Sequence, residues 1–219
     1  MKALQKFGGF AALYMALAHL MGLIIFVVIL DYISITDLAQ KVAMNVDKQA
    51  VVFSTNLLMY VFFGFFLIVF ALALYNRLKV GAPALMQVAT VIGIIWAGSL
   101  IASGMVANAA LTSVVALNAA EPAQAALTWQ GIEPVIDGLG NANGEILGGL
   151  MTLLISLAAL RAGELPKGLN VLGLVVGAVG VVTIIPALNA LVAVFGLGQI
   201  IWFIGMGIVL LRSNPGKAA

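Results

Sequence analysis

Cysteine is absent from the 219-residue chain, which excludes disulfides, thiolate metal sites and cysteine nucleophiles together and leaves the redox compartment unreadable. Charge is nearly as scarce, at 8% Asp, Glu, Lys and Arg against about 25% in an ordinary soluble domain. Histidine occurs once, at His19, so no pair of axial histidines can hold a haem and no two-histidine metal helix can form. No lysine falls in the middle of an apolar run, so a retinal Schiff base has no anchor. Neither a phosphate-binding loop nor a Gly-x-Ser-x-Gly elbow is present, and Ser99 and Ser103 have no histidine relay. These absences disfavour an enzyme, predict no metal and no cofactor, and leave haem with only the weak support of one histidine.

What fills the chain is apolar: 63% hydrophobic residues and a mean hydropathy of +1.19. That places it among integral membrane proteins. The net charge of +2 and pI near 9.0 do not indicate nucleic acid, because the basic residues sit in pairs beside apolar runs, a pattern of membrane topology. Lys2 and Lys6 precede an apolar run too long for a signal core, and it ends at Leu30-Asp31-Tyr32 without a small-residue cleavage site. It reads as a retained first span.

Crossing a bilayer takes about 20 mainly apolar helical residues. Six stretches approach that, at about 7–30, 51–75, 84–111, 139–160, 168–186 and 189–211. The expectation is an all-α polytopic protein, a single compact domain over 1–219 made of six transmembrane helices. Lys2 with Lys6, Arg77 with Lys79, Arg161 with Lys167, and Arg212 with Lys217 fall on one side, with Glu164 the only acid among them. Asp31, Asp37, Asp47, Glu121 and Glu133 fall on the other, with Lys41 and Lys48. The positive-inside rule then puts both termini in the cytoplasm and the protein in the inner (plasma) membrane. The first outer loop has an apolar face of Leu38, Val42, Ala43 and Val46 and predicts an interfacial helix at about 35–48. The second, about 118–138, predicts helix broken at Pro122 and Pro134, with Trp129 among lipid headgroups.

The stretch Asp137 to Thr152 stands out chemically. On one helix, Asp137, Asn141 and Glu145 would share a face at i, i+4 and i+8. Gly140, Gly144 and Gly148 would form an adjoining smooth stripe, and Gly173 and Gly177 another in the fifth span. A carboxyl group placed in hydrocarbon is held neutral or paired, and His19, flanked by Met15 and Met21, is the one intramembrane candidate partner. Asn56, Asn108 and Gln199 fall at depths from which they can join Glu145, Asn141 and Asp137 in an outward-facing polar pocket.

A resemblance supports the span count. Ala71-Leu-Ala-Leu-Tyr75-Asn-Arg77-Leu-Lys79, the loop Leu160-Arg161 to Pro166-Lys167 running into Leu172-Gly173, and the tail Gly198-Gln199 to Arg212 resemble a bacterial and archaeal six-span family, domain of unknown function 4386. That likeness implies a six-span bundle and supplies no catalytic residue. The family often has a histidine early in the fourth span, where this chain has Asn141 and Glu145.

The leading functional expectation is a membrane protein that binds or moves a small molecule or lipid in a pocket around Glu145, with the bilayer and that ligand as partners and no nucleic acid. An accessory or assembly subunit of a larger membrane complex is the alternative, and a haem or quinone redox protein the third reading.

Overall fold

The computed structural model describes residues 2–32, 34–140 and 144–212, and all secondary structure among them is helical. Helix α1 runs Lys2–Ile29 and finishes in a π-helical turn, Ile24–Ile29. Helix α2 is Leu38–Asp47. Helix α3, Gln49–Leu78, contains a second π-helical turn at Leu57–Phe62. There follow α4, Pro83–Asn118, α5, Pro122–Gly140, α6, Ile146–Arg161, and α7, Lys167–Val182. Helix α8 covers Pro186–Arg212, opening as a 3-10 turn at Pro186–Leu191.

Helices α1, α3, α4 and α8 are long and apolar enough to cross a membrane. Side chains such as Phe7, Phe65, Val88, Val91 and Ile201 stand exposed along them, which suits lipid and would be unfavourable in water. Helices α6 and α7 have 16 residues each, about 24 Å at 1.5 Å per residue, short of a hydrocarbon core of about 30 Å. Both are shorter than the stretches predicted at 139–160 and 168–186, for local reasons. Gly144 adopts φ +136, and a Cβ there would lie 2.8 Å from the Ile184 Cα, so α6 cannot extend back through it. Pro186 forces Ile185 into an extended backbone at ψ 119, which stops α7.

Four expectations change here. Asp137 closes α5 while Glu145 precedes α6, so these carboxylates do not share one helix face, and Gly140, Gly144 and Gly148 do not form one stripe. Asn141 lies outside the described residues. The connection over about 118–138 is not broken helix: Pro122 begins α5, where its missing N–H costs nothing, and the helix continues through Pro134. Trp129 is buried at 5% exposure against Val42, Ala110, Val114 and Ala125, packed among helices and not laid out toward headgroups.

The chain divides into two compact units. The first comprises residues 1–17, 64–98 and 143–219, and the second 18–63 and 99–142. In the first, α6 and α7 approach backbone to backbone. A Cβ on Gly177 would lie 2.6 Å from the Leu153 nitrogen, and one on Gly149 would lie 2.6 Å from the Val181 nitrogen. Phe70 meets Trp202 and Phe203 edge to face at 5.8 and 5.6 Å, and those two rings lie tilted against each other at 5.5 Å. Helix α6 ends in a left-handed Gly163, φ +64, with the Glu164 N–H donating to the Ala159 carbonyl at 2.9 Å, a Schellman closure. That turn presents Glu164 to Arg77, whose Nη2 lies 3.0 Å from the carboxylate.

In the second unit, Asp37 caps α2 by accepting from the Gln40 N–H at 2.9 Å, the interaction that starts a helix at this residue type. Helix α2 packs on α5 through Val42 and Trp129, and Leu30, Val52 and Leu111 form a neighbouring apolar cluster.

Candidate functional site

Within the second unit, residues from α1, α2, α3, α4 and α5 enclose a partly open cavity of about 230 Å³. Its aromatic wall comes from Phe26, Tyr32, Tyr60 and Trp129, and its polar groups are Asn45, Asn56, Glu133 and Asp137. Both π-helical turns deliver a wall residue, Phe26 from α1 and Tyr60 from α3. Such turns insert one extra residue and re-aim the side chains that follow, and they recur at functional sites.

Tyr32 is set by the backbone just after α1. Asp31 takes a left-handed φ of 48, a conformation aspartate tolerates better than most residues. The Tyr32 N–H donates to the Phe26 carbonyl at 2.9 Å, and the two rings meet edge to face at 6.0 Å. The Tyr32 hydroxyl donates to the Glu133 carboxylate. Lys41 of α2 donates to the same carboxylate oxygen at 2.7 Å, and its ammonium lies over the Tyr32 ring, 5.1 Å from the centroid. Glu133 is therefore the hub of this cluster. Burial, and then the hydrogen bond to Glu133, push the Tyr32 hydroxyl well above the usual phenol range.

One turn beyond Glu133 on α5, Asp137 stands exposed at the cavity rim. Partial burial of its carboxyl, and then the Glu133 charge, raise its pKa above 3.8, with Lys41 pulling the other way. A carboxyl raised on folding contributes stability that is complete below its unfolded pKa and is lost as pH rises through the folded value. Asp137→Asn removes that loss. The Tm difference between the variant and wild type, measured by thermal unfolding in detergent, is expected to shift in favour of the variant as pH rises through the carboxylate range from below 3.8. A flat difference would show that Asp137 titrates as it does in the unfolded chain.

Asn45 has no exposed surface, and neither its Nδ2 nor its Oδ1 meets a hydrogen-bond partner. It shares a face of α2 with Lys41, one turn earlier. Buried amides are nearly always satisfied within the protein. Here an unpaired one belongs to a residue that lines a cavity.

The residues singled out from sequence are distributed over both units. Asp137 and Asn56 line the cavity. The Asn56 Nδ2 donates to the Asn108 Oδ1 at 3.0 Å, and the Asn108 Nδ2 donates to the Phe53 carbonyl at 3.2 Å, so Asn108 holds Asn56 in place from behind. His19, also in the second unit, sets its ring edge-on to Phe63 at 5.0 Å. Glu145 and Gln199 belong to the first unit. The Glu145 N–H donates to the Thr183 hydroxyl at 2.8 Å, and the Gln199 Nε2 donates to the Thr152 Oγ1 at 2.9 Å within the α6–α8 packing. There too, Gly148 faces Trp96 and Phe195, and Gly173 faces Ser156 and Trp202. Gly140 packs toward Ser103 and Tyr60 of the second unit. Ser99 and Ser103 donate to the Leu139 and Ile136 carbonyls at 2.8 and 2.9 Å, tying the end of α5 to α4, and Leu139 lies in the last turn, where carbonyls lack intrahelical partners.

Sequence reasoning missed Tyr32, Asn45 and Glu133 as site residues. A readable signal existed for the last: Glu133 and Asp137 are spaced i, i+4, which puts two carboxylates on one face once residues 122–140 are taken as continuous helix. No group of three or more metal-ligating side chains occurs among the described residues. No family model, no curated protein and no solved structure matches the chain.

Proposed function

We propose that this chain is a six-span protein of the plasma membrane, with both termini cytoplasmic, that binds a compact small molecule in the cavity of its second unit. Four long apolar helices support the membrane setting. The paired basic residues, and the likeness to the six-span family of unknown function, support the span count and the orientation. In that arrangement α6 and α7 complete the bundle as short spans, with Arg161 and Lys167 reaching to the headgroups. The acidic cavity then opens on the outer side. At about 230 Å³ it falls below the roughly 300 Å³ at which drug-sized pockets begin, so its ligand is small.

The observation that carries this reading is Asn45. An amide with two unmet bonding groups costs about 1–3 kcal/mol where nothing pairs with it. An apolar residue would pack the same place more favourably, so the amide is explained by what binds beside it. Asn45→Leu is accordingly expected to raise the Tm of the ligand-free protein while abolishing stabilisation by ligand. The check is thermal unfolding of the detergent-purified protein against a fragment library of compact polar molecules. The reading fails if no fragment stabilises wild type, or if fragments stabilise wild type and N45L alike.

A further inference from the structure

The cavity's charge and aromatic content specify more than size. Six acids, Asp31, Asp37, Asp47, Glu121, Glu133 and Asp137, belong to the second unit with two lysines, Lys41 and Lys48, whereas eight of the ten basic residues of the chain belong to the first. The second unit thus carries a strongly negative field, and its cavity lining holds two carboxylates and no basic side chain. Such a field concentrates cations and repels anions. The walls add ring faces, and a positive charge over a tyrosine or tryptophan face gains about 0.5–2 kcal/mol, more as water is excluded.

The structure already shows a cation using these features. The Lys41 ammonium sits 2.7 Å from the Glu133 carboxylate and 5.1 Å from the Tyr32 ring centroid. It touches at once the two kinds of group that an organic ammonium requires, an anion and an aromatic face. Lys41 projects from α2, which also carries Asn45, so the lysine lies beside the cavity, its ammonium carried on a four-carbon stem with several torsions.

We infer that the cavity selects a compact organic cation, whose ammonium group is met by Glu133, Asp137 and the Tyr32 ring, with Asn45 bonding a polar group elsewhere on the ligand, and that Lys41 competes for the same carboxylate. The inference rests on the cavity being a binding site, as argued above, and adds the sign of its ligand. A neutral ligand would leave Asp137 beside the Glu133–Lys41 pair without a counter-charge of its own, and an anionic one would add repulsion, both unfavourable in a partly dehydrated site. The competing lysine gives the site an internal threshold: a ligand must outbid an ammonium tethered within reach, so only cations that also use the ring faces bind well.

The test uses the full chain in detergent, with binding followed by calorimetry and thermal shift. The probes are choline, tetramethylammonium and ethanolamine, set against 3,3-dimethylbutan-1-ol, the uncharged analogue of choline with the same shape. At least one cation is expected to bind tenfold or more tightly than the alcohol. Lys41→Met, which keeps the stem and removes the charge, is expected to tighten that cation severalfold, and Glu133→Gln to weaken it more than tenfold, with a several-fold smaller loss for the alcohol. Should E133Q fold poorly, Asp137→Asn at the exposed rim serves the same arm, with a smaller loss expected. Equal binding of alcohol and cations overturns the cation assignment and leaves the cavity standing as a site. Weaker cation binding by K41M overturns the competition by Lys41. No binding by any of the four probes overturns the inference, and the fragment screen with N45L then decides the binding reading separately.

Discussion

Glu133→Gln is expected to destabilise the second unit more than any other single change around the cavity. Glu133 and Lys41 are 18% and 21% exposed at their side chains, so the pair is largely withdrawn from solvent, and the Tyr32 hydroxyl depends on the same carboxylate. Removing one member of a fully buried pair costs about 3–5 kcal/mol, because the other charge is left without a counterion. The residual exposure here lets water reach Lys41, which brings the expectation to about 1–3 kcal/mol. For a chain of this size that is a Tm lower by several degrees. The sign of the double variant identifies the cause. Lys41→Met in the Glu133→Gln background removes the stranded ammonium and is expected to recover at least half of the loss. If the double variant melts lower than E133Q, the two side chains contribute independently and the hub description is wrong.

The seam between α6 and α7 should give the other large effect. A Cβ at Gly177 would meet the Leu153 nitrogen at 2.6 Å and the Gly149 carbonyl oxygen at 2.8 Å. Both are backbone atoms, which cannot rotate away, so the helices themselves must separate. Overpacking of this kind costs about 1–3 kcal/mol for a methyl group and more for a branched side chain. Gly177→Ala is expected to lower the Tm by several degrees, and Gly177→Val to prevent recovery of monodisperse protein. Gly196 supplies the control. It lies inside α8 with nothing within 4 Å of an added Cβ, and Ala is the better helix former by about 1 kcal/mol. Gly196→Ala is therefore expected to be neutral or stabilising. Similar losses at both positions, seen as size-exclusion profile and Tm, would mean that the close approach at Gly177 is not what makes the seam sensitive.

Not every glycine pattern in the sequence had this meaning. Gly149 and Gly177 sit at a backbone contact, but of these only Gly177 was drawn from the four-residue spacing. Gly140, Gly144 and Gly148 have the same spacing and serve three separate ends: closing α5, turning the chain at φ +136, and making room for Trp96 and Phe195. Four-residue spacing implies a stripe only where the helix is unbroken, and the backbone at Gly144 is what breaks it. The same interruption separates Asp137 from Glu145. Gln199 and Thr152 were legible as polar residues inside apolar helices, but not as partners of one another, because 47 positions separate them.

Composition and hydropathy by themselves determined that the chain folds into helices, is apolar enough for a membrane, and is punctuated by basic pairs. They could do so because helix formation and lipid preference are properties of each segment taken alone. Tertiary packing decided where the polar chemistry lies. Glu133 meets Lys41 across 92 positions and Tyr32 across 101, and Asn45 becomes an unpaired buried amide only once α2 is packed on α5. A carboxylate at a loop-side position reads the same in sequence whether it faces open water or a closed wall of rings. The difference is made by which helices stand beside it, and that is a property of the assembled chain.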